Sequence, residues 1–246
     1  MNFFSDFYIK KGSDSVFLFL HGFTGGSGAF THLLPLIPFD VCSYTFLGHG
    51  EEYLSFHSFG GKDWLNGARN KLIELKKEYK HLYLAGYSLG GLIALILAKE
   101  IDVDALYLFA PALKTNFTKE DVKAELKDVN PALLALCDED DKKVLKYFLS
   151  ESVKKEEGEI VKLQKQYIEQ KRSSLKNAYA YLGLNDNVVN ITETKVLLEQ
   201  DGVKCNLLKE CNHALLYGVG YKETIQSFKN DLNLSFIQAI LQARHA

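Results

Sequence analysis

The chain has 246 residues, 47% hydrophobic and 24% charged, the balance of an ordinary globular protein. That apolar share excludes a disordered chain, which buries too little surface to offset the entropy of ordering. With 29 basic against 31 acidic residues the formal net charge is −2, so the basic excess of a polyanion binder is missing and no nucleic-acid partner is expected. No run approaches the roughly 18 apolar residues of a membrane helix, and no stable membrane insertion is expected. The first residues, MNFFSDFYIKKGSDS, lack the charged leader and long apolar region of a secretory signal. Cys42, Cys137, Cys205 and Cys211 lie far apart with no CxxC. They read as reduced thiols, and the expected compartment is the cytoplasm.

In chain order, Ser15–Leu20 (SVFLFL) reads as a strand buried on both faces, as in a parallel sheet. A Gly-rich turn, His21–Gly28, follows. Val41–Phe46 is a second strand, ended by Gly48-His49-Gly50. From Asp63 to Tyr79, Trp64, Leu65, Ala68, Leu72, Leu75 and Tyr79 fall on one helical face. His81–Ala85 is a strand, Leu89–Lys99 a helix, and Val103–Ala110 a strand stopped by Pro111. The alternation predicts an α/β fold with a mostly parallel sheet and helices on both faces. From Lys114 to Arg172 no strand pattern appears. Acidic and basic side chains alternate with Leu, Val, Phe and Tyr, predicting amphipathic helices such as Lys142–Leu149 and Glu159–Gln170. Alternation then resumes with strand Lys176–Leu182, helix Thr192–Gln200, strand Val203–Lys209 and helix Thr224–Ala243. That last helix packs on its own sheet or offers a face for a homodimer.

Gly86-Tyr87-Ser88-Leu89-Gly90 sits between a predicted strand and a predicted helix, the context that G-x-S-x-G requires. The turn strains the serine backbone and lifts its Oγ clear of the sheet, and the glycines let the backbones pass closely. The bland alternative is a tight turn that happens to hold a serine. A serine hydroxyl needs a base, and the base needs an acid. In a parallel sheet, functional groups lie beyond the C-terminal strand ends. His213 follows the strand Val203–Lys209 and is the candidate base. His81 starts a strand, His32 and His57 lie in early segments, and His245 is next to the last residue. Asp186, after Lys176–Leu182, is the candidate acid, although Asn185-Asp186-Asn187 is also an ordinary turn. Asp102, Asp104 and Asp201 fall at the opposite sheet edge. Phe23, in the loop after the first buried strand, and Leu89, in the elbow, are the expected pair of backbone N–H donors for an oxyanion. The glycines of residues 22–28 fit no dinucleotide or phosphate-loop spacing, and no metal motif occurs, so neither cofactor nor metal is expected.

These residues, with His21-Gly22-Phe23-Thr24-Gly25, Gly48-His49-Gly50, Asp63-Trp64 and Gly91, make the chain resemble an α/β-hydrolase. Within that fold it resembles the small bacterial carboxylesterases and monoacylglycerol-lipase-like enzymes. The order Ser88, Asp186, His213 is the one such enzymes use. The resemblance implies a helical cap before the acid, at residues 114–172, set on a core of residues 1–113 and 173–246. Gly48-His49-Gly50 and Trp64 are expected to be structural.

The expected activity is that of a serine carboxylesterase on esters of short to medium acyl chains. Tyr87 is expected beside the acyl group or as a buried neighbour. Tyr147, Phe148 and Tyr167 are candidates for an acyl channel or simply core. A thioesterase, a lysophospholipase or monoacylglycerol lipase, an amidase, and a carbon–carbon hydrolase or lyase use the same triad, because the fold does not choose among them. A non-catalytic binding protein is disfavoured by the intact triad.

Overall fold

The computed structural model describes residues 2–50, 52–115, 137–150, 152–172 and 174–243. Among these, one sheet is formed by β1 (Phe7–Ile9), β2 (Ser15–Leu20), β3 (Asp40–Tyr44), β4 (His81–Tyr87), β5 (Ala105–Phe109), β6 (Ala178–Gly183) and β7 (Lys204–Leu208). Their spatial order is β1-β3-β2-β4-β5-β6-β7. Every neighbouring pair is parallel except β1 and β3. The helices are α1 (Gly61–Glu78), α2 (Leu89–Ala98), α3 (Glu139–Ser150), α4 (Lys154–Glu169), α5 (Ile191–Gln200) and α6 (Tyr221–Ala243). The sequence reading holds no strand before Ser15. β1 spans three partly exposed residues at the sheet edge, too few to show alternation.

The two faces of the sheet differ in chemistry. Register aligns Phe17 with Tyr83, Tyr107 with Tyr179, and Phe109 with Tyr181. Their rings lie 5.5, 5.5 and 4.8 Å apart. Phe228 of α6 closes over this aromatic layer, 5.2 Å from Tyr107 and 5.7 Å from Phe109. Because strand side chains alternate, Leu18, Leu84, Leu106 and Leu182 face the other way. That aliphatic side takes α2, whose ten residues are all buried. α1 and α4 pack beside α2. A helix apolar all round belongs in such a place, covered by the sheet below and by other helices above.

Within the charged block expected at 114–172, residues 116–136 lie outside the described residues. Residue 151 lies outside them too; Glu139–Ser150 forms α3 and Lys154–Glu169 forms α4. α4 packs against the helical layer of the core, on the path that joins the parallel neighbours β5 and β6. We propose that 114–172 is an insertion on the core of 1–113 and 173–246. No helix among the described residues is long and apolar enough to cross a membrane.

Candidate active site

The sharp turn between β4 and α2 places Ser88 at the C-terminal edge of the sheet. Its backbone sits at φ 52°, ψ −113°, a conformation costing roughly 1–3 kcal/mol for a residue with a Cβ. Close packing holds it there. A Cβ on Gly86 would overlap the carbonyl oxygen of Gly90, and one on Gly90 would overlap that of Leu20. The Ser88 N–H donates to Phe109 O at 2.9 Å. The Ser88 carbonyl accepts from Leu92 and Ala112 at 3.1 and 3.0 Å. Both of its backbone polar groups are thus fixed by the neighbouring strand and helix.

His213 and Asp186 arrive from the loops after β7 and β6. His213 Nε2 lies 3.1 Å from Ser88 Oγ. Its Nδ1 lies 2.9 Å from Asp186 Oδ2. Asp186 Oδ1 accepts the Val188 and Val189 N–H groups, each at 2.8 Å. The carboxylate is therefore oriented from behind by two backbone donors. The loops are tied to each other as well. Asn185 N–H donates to Cys211 O at 3.0 Å, and a side chain on Gly183 would strike the Cys211 and Asn212 carbonyls. Ser88 and His213 are each 8% exposed, enough for a small molecule to reach the Oγ and too little for bulk water to screen the pair.

Leu89 opens α2, so its N–H has no acceptor within the helix. Among the described residues neither the Leu89 nor the Phe23 N–H has a hydrogen-bond partner. Phe23 lies in a turn closed by Gly25 N–H on Gly22 O at 3.0 Å, and Gly22 packs against Tyr87 and Ser88. His21 anchors that turn from below. It is fully buried, with Nδ1 2.7 Å from Gly22 O and Nε2 accepting the Phe46 N–H at 3.0 Å. Burial pulls its pKa down from 6.5 to about 4, so it is neutral and bonds on both sides. Burial likewise holds His49 well below the usual range, inside a box of Phe23, Phe46, Phe56, Trp64 and Phe148 rings. The Gly48-His49-Gly50 stretch and Trp64 thus sit in packing rather than at Ser88.

A pocket of about 90 Å³ opens at Ser88. Its walls include Phe3, Ala112, Ile160, Val188 and Tyr217 beside the Gly22–Gly25 turn and His213. The aromatic candidates from the charged block do not line it. Phe148 packs on Phe4 and Phe56, Tyr147 on Tyr53, and Tyr167 is fully buried with its hydroxyl donating to Asp201 at 2.7 Å. Helical spacing favours core for all three; Phe148 and Tyr167 are buried there, and Tyr147 is partly buried against it. Tyr87 touches the pocket but its hydroxyl donates to the His213 carbonyl at 3.1 Å. Sequence reasoning missed Phe3, Ile160 and Tyr217, whose single aromatic or aliphatic side chains carry no local signal. His81 pairs with Asp104 at 2.8 Å at the opposite edge, and Asp201 meets Lys99 there at 2.6 Å. His245 lies outside the described residues. Among the described residues no group of His, Cys, Asp or Glu could hold a metal ion.

A parallel sheet whose central elbow presents a serine, with an acid and a histidine following from later strands, is the α/β-hydrolase arrangement. The chain belongs to the alpha/beta hydrolase family, whose model matches residues 17–163. No curated protein matches the sequence. Solved structures resemble the fold. The monoacylglycerol lipase of Paleococcus ferrophilus has a TM-score of 0.67 and 16% identity, over 96% of this chain and 100% of that one. Est1E of Butyrivibrio proteoclasticus, with ferulic acid bound, has a TM-score of 0.64 and 15% identity, over 95% of both chains. A meta-cleavage product hydrolase, CumD, has a TM-score of 0.63 and 14% identity, over 93% of both.

Proposed function

We propose that the protein is a serine carboxylesterase acting on esters of short to medium acyl chains. The observation that carries this reading is the buried chain of contacts from Ser88 Oγ through His213 to Asp186, backed by two amides. His213 Nε2 takes the hydroxyl proton as Ser88 Oγ attacks the ester carbonyl. Asp186 holds the imidazole in the tautomer with its proton on Nδ1 and stabilises the imidazolium that forms. The Phe23 and Leu89 amides receive the oxyanion, a role worth roughly 3–4 kcal/mol per donor where such groups have been removed. His213 then gives its proton to the leaving alcohol. The acyl group stays on Ser88 until water, deprotonated by His213, releases the acid and restores the serine. The narrow, mostly apolar pocket supports a compact acyl group.

The deciding assay is hydrolysis of p-nitrophenyl esters from acetate to palmitate, wild type beside Ser88→Ala. Turnover on the shorter chains that disappears in Ser88→Ala is the expected result. Turnover retained by the variant overturns the mechanism. A folded wild type inert on every ester, and unlabelled by a fluorophosphonate, overturns the esterase reading. Labelling without ester turnover moves the assignment to a thioester, amide or carbon–carbon substrate.

A further inference from the structure

The wall of the pocket formed by Phe3 is held by a device outside the triad. Phe3 and Phe4 are 7% and 2% exposed, although they lie only a few residues from Met1. Their backbone is clamped on two sides. On one side Phe3 O accepts the Gly28 N–H at 2.8 Å. Side chains on Gly26 or Gly28 would overlap Phe3, and one on Gly50 would lie 2.6 Å from Phe4 O. On the other side stands Asp141 of α3, 1% exposed. Its Oδ2 accepts the Phe3 N–H at 3.0 Å, and its Oδ1 shares the Phe4 N–H, at 3.3 Å, with Asn2 Oδ1 at 2.9 Å.

Asp141 cannot turn away easily, because the same carboxylate caps its own helix. Asp138 Oδ1 accepts the Asp141 N–H at 2.8 Å, and Asp141 Oδ2 accepts the Asp138 N–H at 3.1 Å. This reciprocal pair is a capping box with Asp in the third helical position. One buried carboxylate thus joins the start of α3 to residues 3 and 4. The Phe4 ring, 6.4 Å from Phe148 of α3, reinforces the join. A buried carboxylate is a rigid acceptor here, since turning Oδ2 away would leave both the Phe3 and the Asp138 N–H unmatched. Phe3 is therefore a fixed part of the pocket wall, its ring packed against Gly28, in a cavity that Gly25 and Ala29 also line.

We propose that Phe3 is the residue that limits acyl-chain length, and that Asp141 is the positioning residue that keeps it in the pocket. This rests on the esterase reading above. A chain too long for the pocket meets an aromatic ring that cannot swing aside while Asp141 holds its backbone. Removing the ring lengthens the pocket. Releasing the clamp lets the wall move, with all the catalytic groups left in place.

The test compares wild type, Phe3→Leu, Phe3→Ala and Asp141→Ala on p-nitrophenyl butyrate and octanoate. In Phe3→Ala the ratio of kcat/KM for octanoate over butyrate rises at least tenfold, the lower bound for a methylene-scale change in an apolar pocket. Phe3→Leu shifts the ratio in the same direction by less, and guards against a fold lost in Phe3→Ala. Asp141→Ala, which leaves the Phe3 and Asp138 N–H groups without their acceptor, also raises the ratio. Its Phe3 and Gly28 amides exchange hydrogen faster than in wild type. Loss of fold alone would lower both rates together and leave the ratio unmoved. Folded variants with the wild-type ratio overturn the proposal. A second measurement separates it from the esterase reading. Calorimetric affinities of Ser88→Ala for octanoate over butanoate, with and without Phe3→Ala, report the wall even if no ester is turned over. An affinity ratio unchanged by Phe3→Ala counts against the wall whatever the chemistry.

Discussion

Asp186→Asn tests the triad through a tautomer. The carboxylate divides its oxygens: Oδ1 takes two backbone N–H groups at 2.8 Å and Oδ2 takes His213 Nδ1 at 2.9 Å. An asparagine must choose which side receives its oxygen. With the oxygen toward Val188 and Val189 both backbone bonds survive. The reverse orientation points N–H₂ at two N–H donors and leaves them unmatched, at about 1–3 kcal/mol each. The first orientation therefore wins by about 2–6 kcal/mol. It presents a donor to His213 Nδ1, which must then accept, so the imidazole proton moves to Nε2. That nitrogen faces Ser88 Oγ at 3.1 Å and can no longer take its proton. The expected loss in kcat is about 10⁴-fold, or about 5.5 kcal/mol at ~1.36 kcal/mol per tenfold. Folding stability barely changes, and the melting temperature moves by no more than about 2–4 °C. The assay is steady-state hydrolysis of p-nitrophenyl butyrate at neutral pH beside a thermal melt. A folded Asp186→Asn variant within about tenfold of the wild-type kcat would refute the reasoning.

Two further outcomes follow from the same geometry. Gly90→Ala places a methyl group on the Leu20 carbonyl, with the His21 carbonyl also at 2.5 Å, so the elbow must shift. It should cost about 1–3 kcal/mol in urea denaturation and lower kcat by about 10²-fold through a misplaced Oγ and Leu89 amide; a fully active, fully stable variant would contradict the close packing. Stability should also fall in mild acid. His21 has a folded pKa of about 4 against 6.5 unfolded, so between these values the unfolded chain binds more protons and stability decreases as pH drops. From about pH 7.5 to about 5 the His21 contribution alone amounts to about 2 kcal/mol, and His49, also depressed, adds in the same direction. Urea denaturation at about pH 7.5 and about pH 5 reads the difference, and an unchanged unfolding free energy would show that neither histidine is held neutral.

How much of this was legible in the sequence depends on how local each constraint is. Ser88 was readable because the elbow's steric demand falls on residues two positions away, Gly86 and Gly90. His213 and Asp186 were readable through topology: only loops at the C-terminal strand ends can reach the nucleophile, and few titratable residues meet that condition. The structure brings all three together. Asp141 was hidden because it lies in Asp138-Glu139-Asp140-Asp141, which reads as a solvated face. Its burial depends on residues 3 and 4, more than 130 positions away. The glycines at 26 and 28 were visible as a pattern, yet their reason, the close passage of Phe3, was not. β1 escaped for a related cause: its pairing with β3 is a tertiary fact that three residues cannot announce.

The site's energetics explain why its parts are spread so widely. Ser88 occupies a conformation that costs roughly 1–3 kcal/mol and that no local preference would choose. Only surroundings that over-determine it can hold it, and these come from β2 through Leu20, β5 through Phe109, and the α2 N-terminus. The loops that carry Asp186 and His213 are held in a similar manner, by the Val188 and Val189 amides and by Asn185 N–H on Cys211 O, with the Tyr87 hydroxyl on the His213 carbonyl. Backbone groups have few degrees of freedom to lose, so the Ser88, His213 and Asp186 contacts they support are held without help from a ligand. The pocket wall repeats the principle with one carboxylate on two amides. On the proposed esterase reading, the choice of acyl chain comes from the shape of this wall, and Phe3 is the place to change it.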